Sequence, residues 1–302
     1  MYEPLDHAVR LLVFGETGQL SKALRDVAFP NEWKVTYVGR READITDAGA
    51  VNAVVQRLAP NIVINTAAYT NVDGAESEQD LAYAVNRDGA ANVARAATAQ
   101  GAPIIHVSTD FVFSGAKDTP YLEDDPVGPV NVYGASKEAG ERAVRDITPQ
   151  HAIVRTAWLY SAGQRNFVTA ILGHMSQKKT LQVVSDQIGS PTYAPDLAEA
   201  LLAMAQQILG AQEKHYGTFH AANSGSVSRF DFARAIQAAM TERLGKDWAG
   251  GACEVLPIPT TALKLPAERP KSSILNCDKL HDHYGIQLPQ WEESLRRCIA
   301  LI

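Results

Sequence analysis

The stretch Val9-Arg10-Leu11-Leu12-Val13-Phe14-Gly15-Glu16-Thr17-Gly18-Gln19-Leu20-Ser21 decides the fold. Val9 to Phe14 is apolar apart from Arg10, as a strand buried on both faces must be. A glycine turn follows at once, and then apolar residues at helical spacing: Leu20, Ala23, Leu24 and Val27. Strand, glycine turn and helix form the context of a phosphate-binding loop. Gly15 permits the tight turn and Gly18 lets backbone approach a pyrophosphate. The helix N-terminus adds free N–H groups and the positive end of its dipole. Ser21 stands where a third glycine would favour close helix–strand packing, and serine is small enough for that place.

Working outward, the same alternation repeats. Strands are expected at Trp33–Val38, Asn61–Asn65, Pro103–Ser108 and Ala152–Thr156, with helices over Asp47–Leu58, Leu81–Gln100 and Tyr133–Ile147. Such alternation predicts an α/β, Rossmann-type doubly wound parallel sheet, with ligands at the carboxyl ends of the strands. Beyond Trp158 the pattern loosens. Helices are expected near 166–177, 196–208, 228–244 and 291–301, and an extended segment at 181–184. Gly217–His220 is expected to return to the main sheet, and the proline-containing remainder reads as loop. We therefore expect residues 1–157, with return segments around 193–224, to form a dinucleotide-binding domain. Residues 158–192 and 225–302 would form a smaller α/β substrate-binding domain.

Two stretches carry chemistry. The strand ending Ser108-Thr109-Asp110 presents hydroxyls and a carboxylate at the ligand edge. Tyr133 and Lys137 stand one helical turn apart on a shared face. An ammonium beside a phenol favours the phenolate, so Tyr133 is expected to have a lowered pKa and to act as proton donor. The plain alternative is a half-buried tyrosine beside a solvated lysine. The second strand ends in Gly39-Arg40-Arg41 where an acidic residue would bind a ribose 2′-hydroxyl. Arginine there suits a 2′-phosphate, so NADPH is expected, with NADH left open because Glu16 adds negative charge nearby.

Composition excludes other classes. A formal net charge of −6 argues against nucleic acid, which wants a basic face. No apolar run is long enough to span a membrane, and the first ten residues contain none of a signal peptide's features, so a cytoplasmic protein is expected. Cys253, Cys277 and Cys298 lie far apart and read as reduced thiols. The eight histidines form no ligand cluster, and no metal is expected. No repeats or low-complexity linkers occur.

Together these motifs resemble the extended short-chain dehydrogenase/reductases and, within them, the dTDP-4-dehydrorhamnose reductase family. The resemblance spans nearly the whole chain. It is carried by Gly15-x-x-Gly18-Gln19-Leu20, Asn65-Thr66-Ala67-Ala68-Tyr69-Thr70-x-Val72-Asp73, Ser108-Thr109-Asp110-Phe111-Val112-Phe113 and Tyr133-Gly134-x-Ser136-Lys137-x-x-Gly140-Glu141. Arg155-Thr156-x-Trp158, Asp186-Gln187-x-Gly189-x-Pro191-Thr192 and Arg269-Pro270-x-x-Ser273 complete it. The resemblance implies that Tyr133 donates the proton, Lys137 tunes it and holds the nicotinamide ribose, and Thr109 binds the sugar C4 oxygen. Gly15, Thr17, Gly18, Gln19, Leu20, Arg40, Asp44, Ile45, Ala67, Ala68 and Tyr69 would hold the cofactor. Thr70, Val72, Phe111, Val112, Trp158 and Asn166 would line the sugar pocket, with Gln187 and Arg269 towards the nucleotide. Ala23 replaces a glutamate that in some members helps bind a metal between subunits, so no metal is carried over; a homodimer remains an expectation. The implied reaction is NADPH-dependent reduction of the C4 ketone of a dTDP-6-deoxy-4-hexulose. The alternatives are a reductase or epimerase of another nucleotide sugar, and a non-catalytic dinucleotide-binding subunit like the regulatory beta subunit of methionine adenosyltransferase.

Overall fold

A computed structural model describes residues 8–302. The expectation about the extreme N-terminus concerns residues that lie in part outside those described. The first half runs β1 (Arg10–Phe14), α1 (Gln19–Asp26), β2 (Lys34–Val38), α2 (Ala48–Leu58), β3 (Ile62–Asn65), then short helices α3 (Val72–Ala75) and α4 (Gln79–Tyr83). A π-helical segment (Ala84–Gly89) leads into α5 (Ala90–Ala99), β4 (Ile104–Thr109), a 3-10 turn (Asp110–Val112), α6 (Val132–Ile147) and β5 (His151–Thr156). The second half runs β6 (Leu159–Tyr160), α7 (Phe167–Met175), β7 (Thr180–Val184), β8 (Ile188–Gly189), β9 (Thr192–Tyr193) and α8 (Ala194–Gly210). It ends with β10 (Gly217–His220), β11 (Val227–Ser228), α9 (Arg229–Leu244), β12 (Glu254–Ile258), α10 (Asp278–Tyr284) and α11 (Trp291–Ala300).

Six strands form one sheet in the order β10-β5-β4-β3-β1-β2, and every pairing in it is parallel. The near-continuous apolar runs are explained by the period-two alternation of a sheet covered on both faces. Leu11, Val13, Ile62, Ile64, Ile105 and Val154 face one way, against Leu24 of α1 and Leu197 and Leu201 of α8. Leu12, Phe14, Val63, Ile104 and Ile153 face the other way, against Val51 and Val55 of α2 and Val93 of α5. A third core joins Tyr160, Val168, Phe232, Ile236, Trp291 and Leu295 in the second lobe.

Three departures from the sequence reading stand out. The expected helix 81–100 begins at Gln79 and widens into the π segment at Ala84–Gly89. There the Asn86 amide holds Tyr69 backbone, accepting from its N–H at 2.9 Å and donating to its carbonyl at 3.1 Å, and also donates to Ser136 Oγ at 2.9 Å. The proline-containing tail contains β12, paired in parallel with β7, because Pro257 sits in a two-stranded ribbon where it needs no ladder on its far side. Residues 278–288, expected in the smaller lobe, return to the main sheet, where Leu280, Tyr284 and Leu288 join its core.

Candidate active site

The glycine loop takes the backbone shape its residues allow. Gly15 has φ +102°, and a Cβ there would stand 2.5 Å from Thr66 Oγ1. Nothing lies within 4 Å of a Cβ built on Gly18, so the loop faces open space at the start of α1. Ser21 is fully buried and its hydroxyl lies 2.7 Å from Thr66 Oγ1, so it ties α1 to the segment after β3 where a glycine would only have made room. Leu20 packs its side chain in the core and offers only backbone to the loop.

At the end of β4, Thr109 turns the chain into the 3-10 turn. Its Oγ1 accepts from the Phe111 N–H at 3.2 Å and donates to Asp110 Oδ1 at 3.0 Å. Helix α6 is brought against this turn by Asn131, whose side chain accepts from Gly134 N–H at 2.7 Å. Gly134 allows the contact, since a Cβ would lie 2.2 Å from the Phe111 carbonyl oxygen. Tyr133 therefore meets Phe111 edge-on, ring centroids 5.6 Å apart. Lys137, one turn on, is buried and donates to the Val107 carbonyl of β4 at 2.7 Å.

Burial governs the charges. It pushes the Tyr133 phenol up to about 12, opposed by hydrogen bonding with Thr109 and assisted by the Asp110 charge. The lowered phenol pKa expected from spacing is thus reversed: desolvation dominates, and the lysine head is committed to the strand. Burial also brings the Lys137 ammonium down to about 8 against the opposing pull of Glu141. It raises Asp110 to about 6, with Arg229 among the groups pulling it back. Burial of Glu141 is outweighed by Arg155, which binds it at 2.9 and 2.7 Å and keeps its carboxyl below the usual range.

One cleft of about 2320 Å³ joins the glycine loop, Thr109, Tyr133 and Lys137. Of the expected residues, Thr17, Gln19, Arg40, Asp44, Ile45, Ala67, Ala68, Tyr69, Thr70, Val72, Phe111, Trp158, Asn166, Gln187 and Arg269 also border it. Arg40 is exposed and its Nε donates to Asp44 Oδ2 at 2.7 Å. Val112 does not border the cleft. The 3-10 turn points it into a core with Phe113, Tyr121 and Ala222, so its assignment to the sugar pocket is corrected. Asn166 borders the cleft but its amide is spent: it caps α7 and donates to Gln19 Oε1 and to the carbonyls of Ser161 and Gln164. Arg269 is held by Asp73 through two bonds of 3.0 and 2.7 Å. Tyr69 turns its phenol to Glu78 at 2.5 Å. Asn131 and Arg229 were missed by sequence reasoning; an Asn before the first turn of α6 is an N-cap signal that marks the former, whereas nothing local marks the latter.

Among the described residues no group of three or more His, Cys, Asp and Glu is gathered as metal ligands would be, and no helix is long and apolar enough to cross a membrane.

The family model described as RmlD substrate binding domain matches residues 9–302. The chain is 41% identical to the dTDP-4-dehydrorhamnose reductase of Sinorhizobium fredii, over 96% of this chain and 97% of the relative. A dTDP-4-dehydrorhamnose reductase structure from Clostridium acetobutylicum superposes with a TM-score of 0.89 at 37% identity, covering 97% of this chain and 99% of that one. One from Bacillus anthracis, in complex with NADP, gives 0.87 at 39% identity with coverages of 97% and 99%. With the glycine loop, Thr109 and the Tyr133–Lys137 pair set in one cleft, the chain belongs to the dTDP-4-dehydrorhamnose reductase family.

Proposed function

We propose that the protein reduces the C4 ketone of dTDP-4-dehydrorhamnose with NADPH, giving dTDP-L-rhamnose and NADP. The observation that carries this reading is the placement of Thr109, Tyr133 and Lys137 on the same cleft as the glycine loop. The loop fits a dinucleotide: Gly18 is open where a pyrophosphate would lie, and Gly15 has no room for a side chain. Gly15, Thr17, Gly18, Gln19 and Leu20 hold the cofactor's phosphates, while Arg40, Asp44 and Ile45 take its adenosine end and Ala67, Ala68 and Tyr69 flank its middle. NADPH supplies the hydride when bound.

The chain's own groups handle the proton. A phenol at about 12 keeps its proton throughout the neutral range, and the C4 alkoxide is a stronger base, so transfer from Tyr133 Oη runs downhill. Thr109 Oγ1 orients the same oxygen. Lys137, anchored on the Val107 carbonyl, would present its ammonium towards the ribose. Thr70, Val72, Phe111, Trp158 and Gln187 shape the substrate half of the cleft. A homodimer and a cytoplasmic location complete the proposal; its three free cysteines suit a reducing compartment. Steady-state NADPH oxidation across a panel of 4-keto nucleotide sugars tests the reading. Turnover highest with dTDP-4-dehydrorhamnose is expected, and absence of turnover with every sugar would overturn it.

A further inference from the structure

Arg229 opens α9, and its backbone is fixed before its side chain is considered. Its N–H donates to the Gln187 carbonyl at 3.1 Å, and Val227–Ser228 pair antiparallel with Ile188–Gly189. The Ser228 hydroxyl caps the helix by accepting from Asp231 N–H at 2.9 Å. From this anchored start the guanidinium lies over Trp158, its carbon 3.4 Å from the ring centroid, and 5.0 Å from that of Phe167. The indole is itself fixed: Trp158 has φ +46°, and Gly189 leaves room for it where a Cβ would stand 2.5 Å from Cε2. Arg229 is thus a cation set on an indole held in place by its neighbours, and it borders the cleft.

The arginines around it have partners. Arg155 is bound by Glu141, and Arg269 by Asp73. Arg229 forms no ion pair with any described residue. The charges it feels are Asp110, beside the catalytic Thr109, and Arg269; burial brings its pKa down to about 9. Arg229 is half-buried at the cleft wall and outside ion-pair distance of any carboxylate among the described residues, so its planar fork of five donors is left to match phosphate oxygens. It lines the same cleft as Asp110, Tyr133 and Arg269.

We propose that Arg229 binds the pyrophosphate of the nucleotide-sugar substrate, donating to its oxygens while stacked on Trp158. The ligand class is a nucleoside diphosphate joined to a sugar. The inference rests on the nucleotide-sugar reading above, and its test separates the two. Arg229→Gln and Arg229→Lys would be compared with wild type by calorimetry for dTDP, for thymidine and for NADPH, and by kinetics with dTDP-4-dehydrorhamnose. Arg229→Gln is expected to weaken dTDP and raise the sugar-nucleotide KM by roughly ten- to a hundredfold, the worth of a charge-assisted hydrogen bond. Thymidine and NADPH binding should stay near wild type, and Arg229→Lys should recover part of the dTDP affinity. If dTDP bound Arg229→Gln as tightly as wild type, or dTDP and thymidine weakened together, Arg229 would be only a cover for the indole. Failure of the wild type to turn over any nucleotide sugar would strike the functional reading, whereas the dTDP-against-thymidine comparison judges Arg229 independently.

Discussion

At the residue scale, Arg40 and Asp110 carry opposite lessons. Arg40 is exposed at the adenosine end, with Asp44 holding its Nε and leaving the two terminal nitrogens to donate. Arg40→Ala should therefore raise the NADPH KM by roughly ten- to a hundredfold and the NADH KM far less, read from parallel steady-state titrations. Equal losses for both would reduce Arg40 to scaffold. Asp110 is buried and raised from 3.8 to about 6, so the folded state holds this proton more tightly than the unfolded one. Stability from this group is present below about 4 and is lost as pH rises through about 6. Asp110→Asn should accordingly be the more stable protein at pH 7.5, by up to about 3 kcal/mol, with the advantage vanishing near pH 4 in denaturant titrations. A wild type more stable than Asp110→Asn at pH 7.5 would contradict this. Residue types and spacing made Thr109, Tyr133, Lys137 and Arg40 legible. They left the charge states illegible, because burial dominates Tyr133 and Lys137 and comes from elements distant in the chain. Val112 was misplaced for a local reason: the 3-10 turn after β4 sends its side chain into the core and not to the cleft.

At the element scale, the main sheet was readable because each strand is short, apolar and bounded by turn residues. The π segment was not, since Ala84-Val85-Asn86-Arg87-Asp88-Gly89 looks like ordinary helix until Asn86 meets Tyr69 and Ser136. β12 was hidden by its own proline. The fit of α6 against the π segment depends on Gly140, where a Cβ would lie 2.1 Å from the Asn86 carbonyl oxygen. Backbone, not a flexible side chain, is in the way. Gly140→Ala should thus cost about 1–3 kcal/mol and lower Tm by roughly 2–10 °C, measured by calorimetry. Because α6 carries Tyr133 and Lys137, kcat should fall with it. An unchanged Tm would mean that the two helices separate freely at this point.

At the scale of the whole molecule, the cleft exists because two separately cored lobes are tied across it. Gln19 from the glycine loop accepts from Ser161 and Asn166 at 2.9 Å, and Asp73 holds Arg269 across nearly two hundred residues of chain. These ties set the cofactor loop, the Tyr133 phenol and the substrate wall about one cavity, which is what a ketone reduction requires: hydride from one side and a proton from the other. The central claim is that Tyr133 gives that proton. Its most direct test is single-turnover oxidation of bound NADPH by dTDP-4-dehydrorhamnose in wild type and Tyr133→Phe, with NADPH affinity measured alongside. The substitution keeps ring and volume and removes the proton, so the rate should fall by roughly 10²–10⁴-fold at unchanged NADPH affinity; turnover of Tyr133→Phe at the wild-type rate would contradict the account.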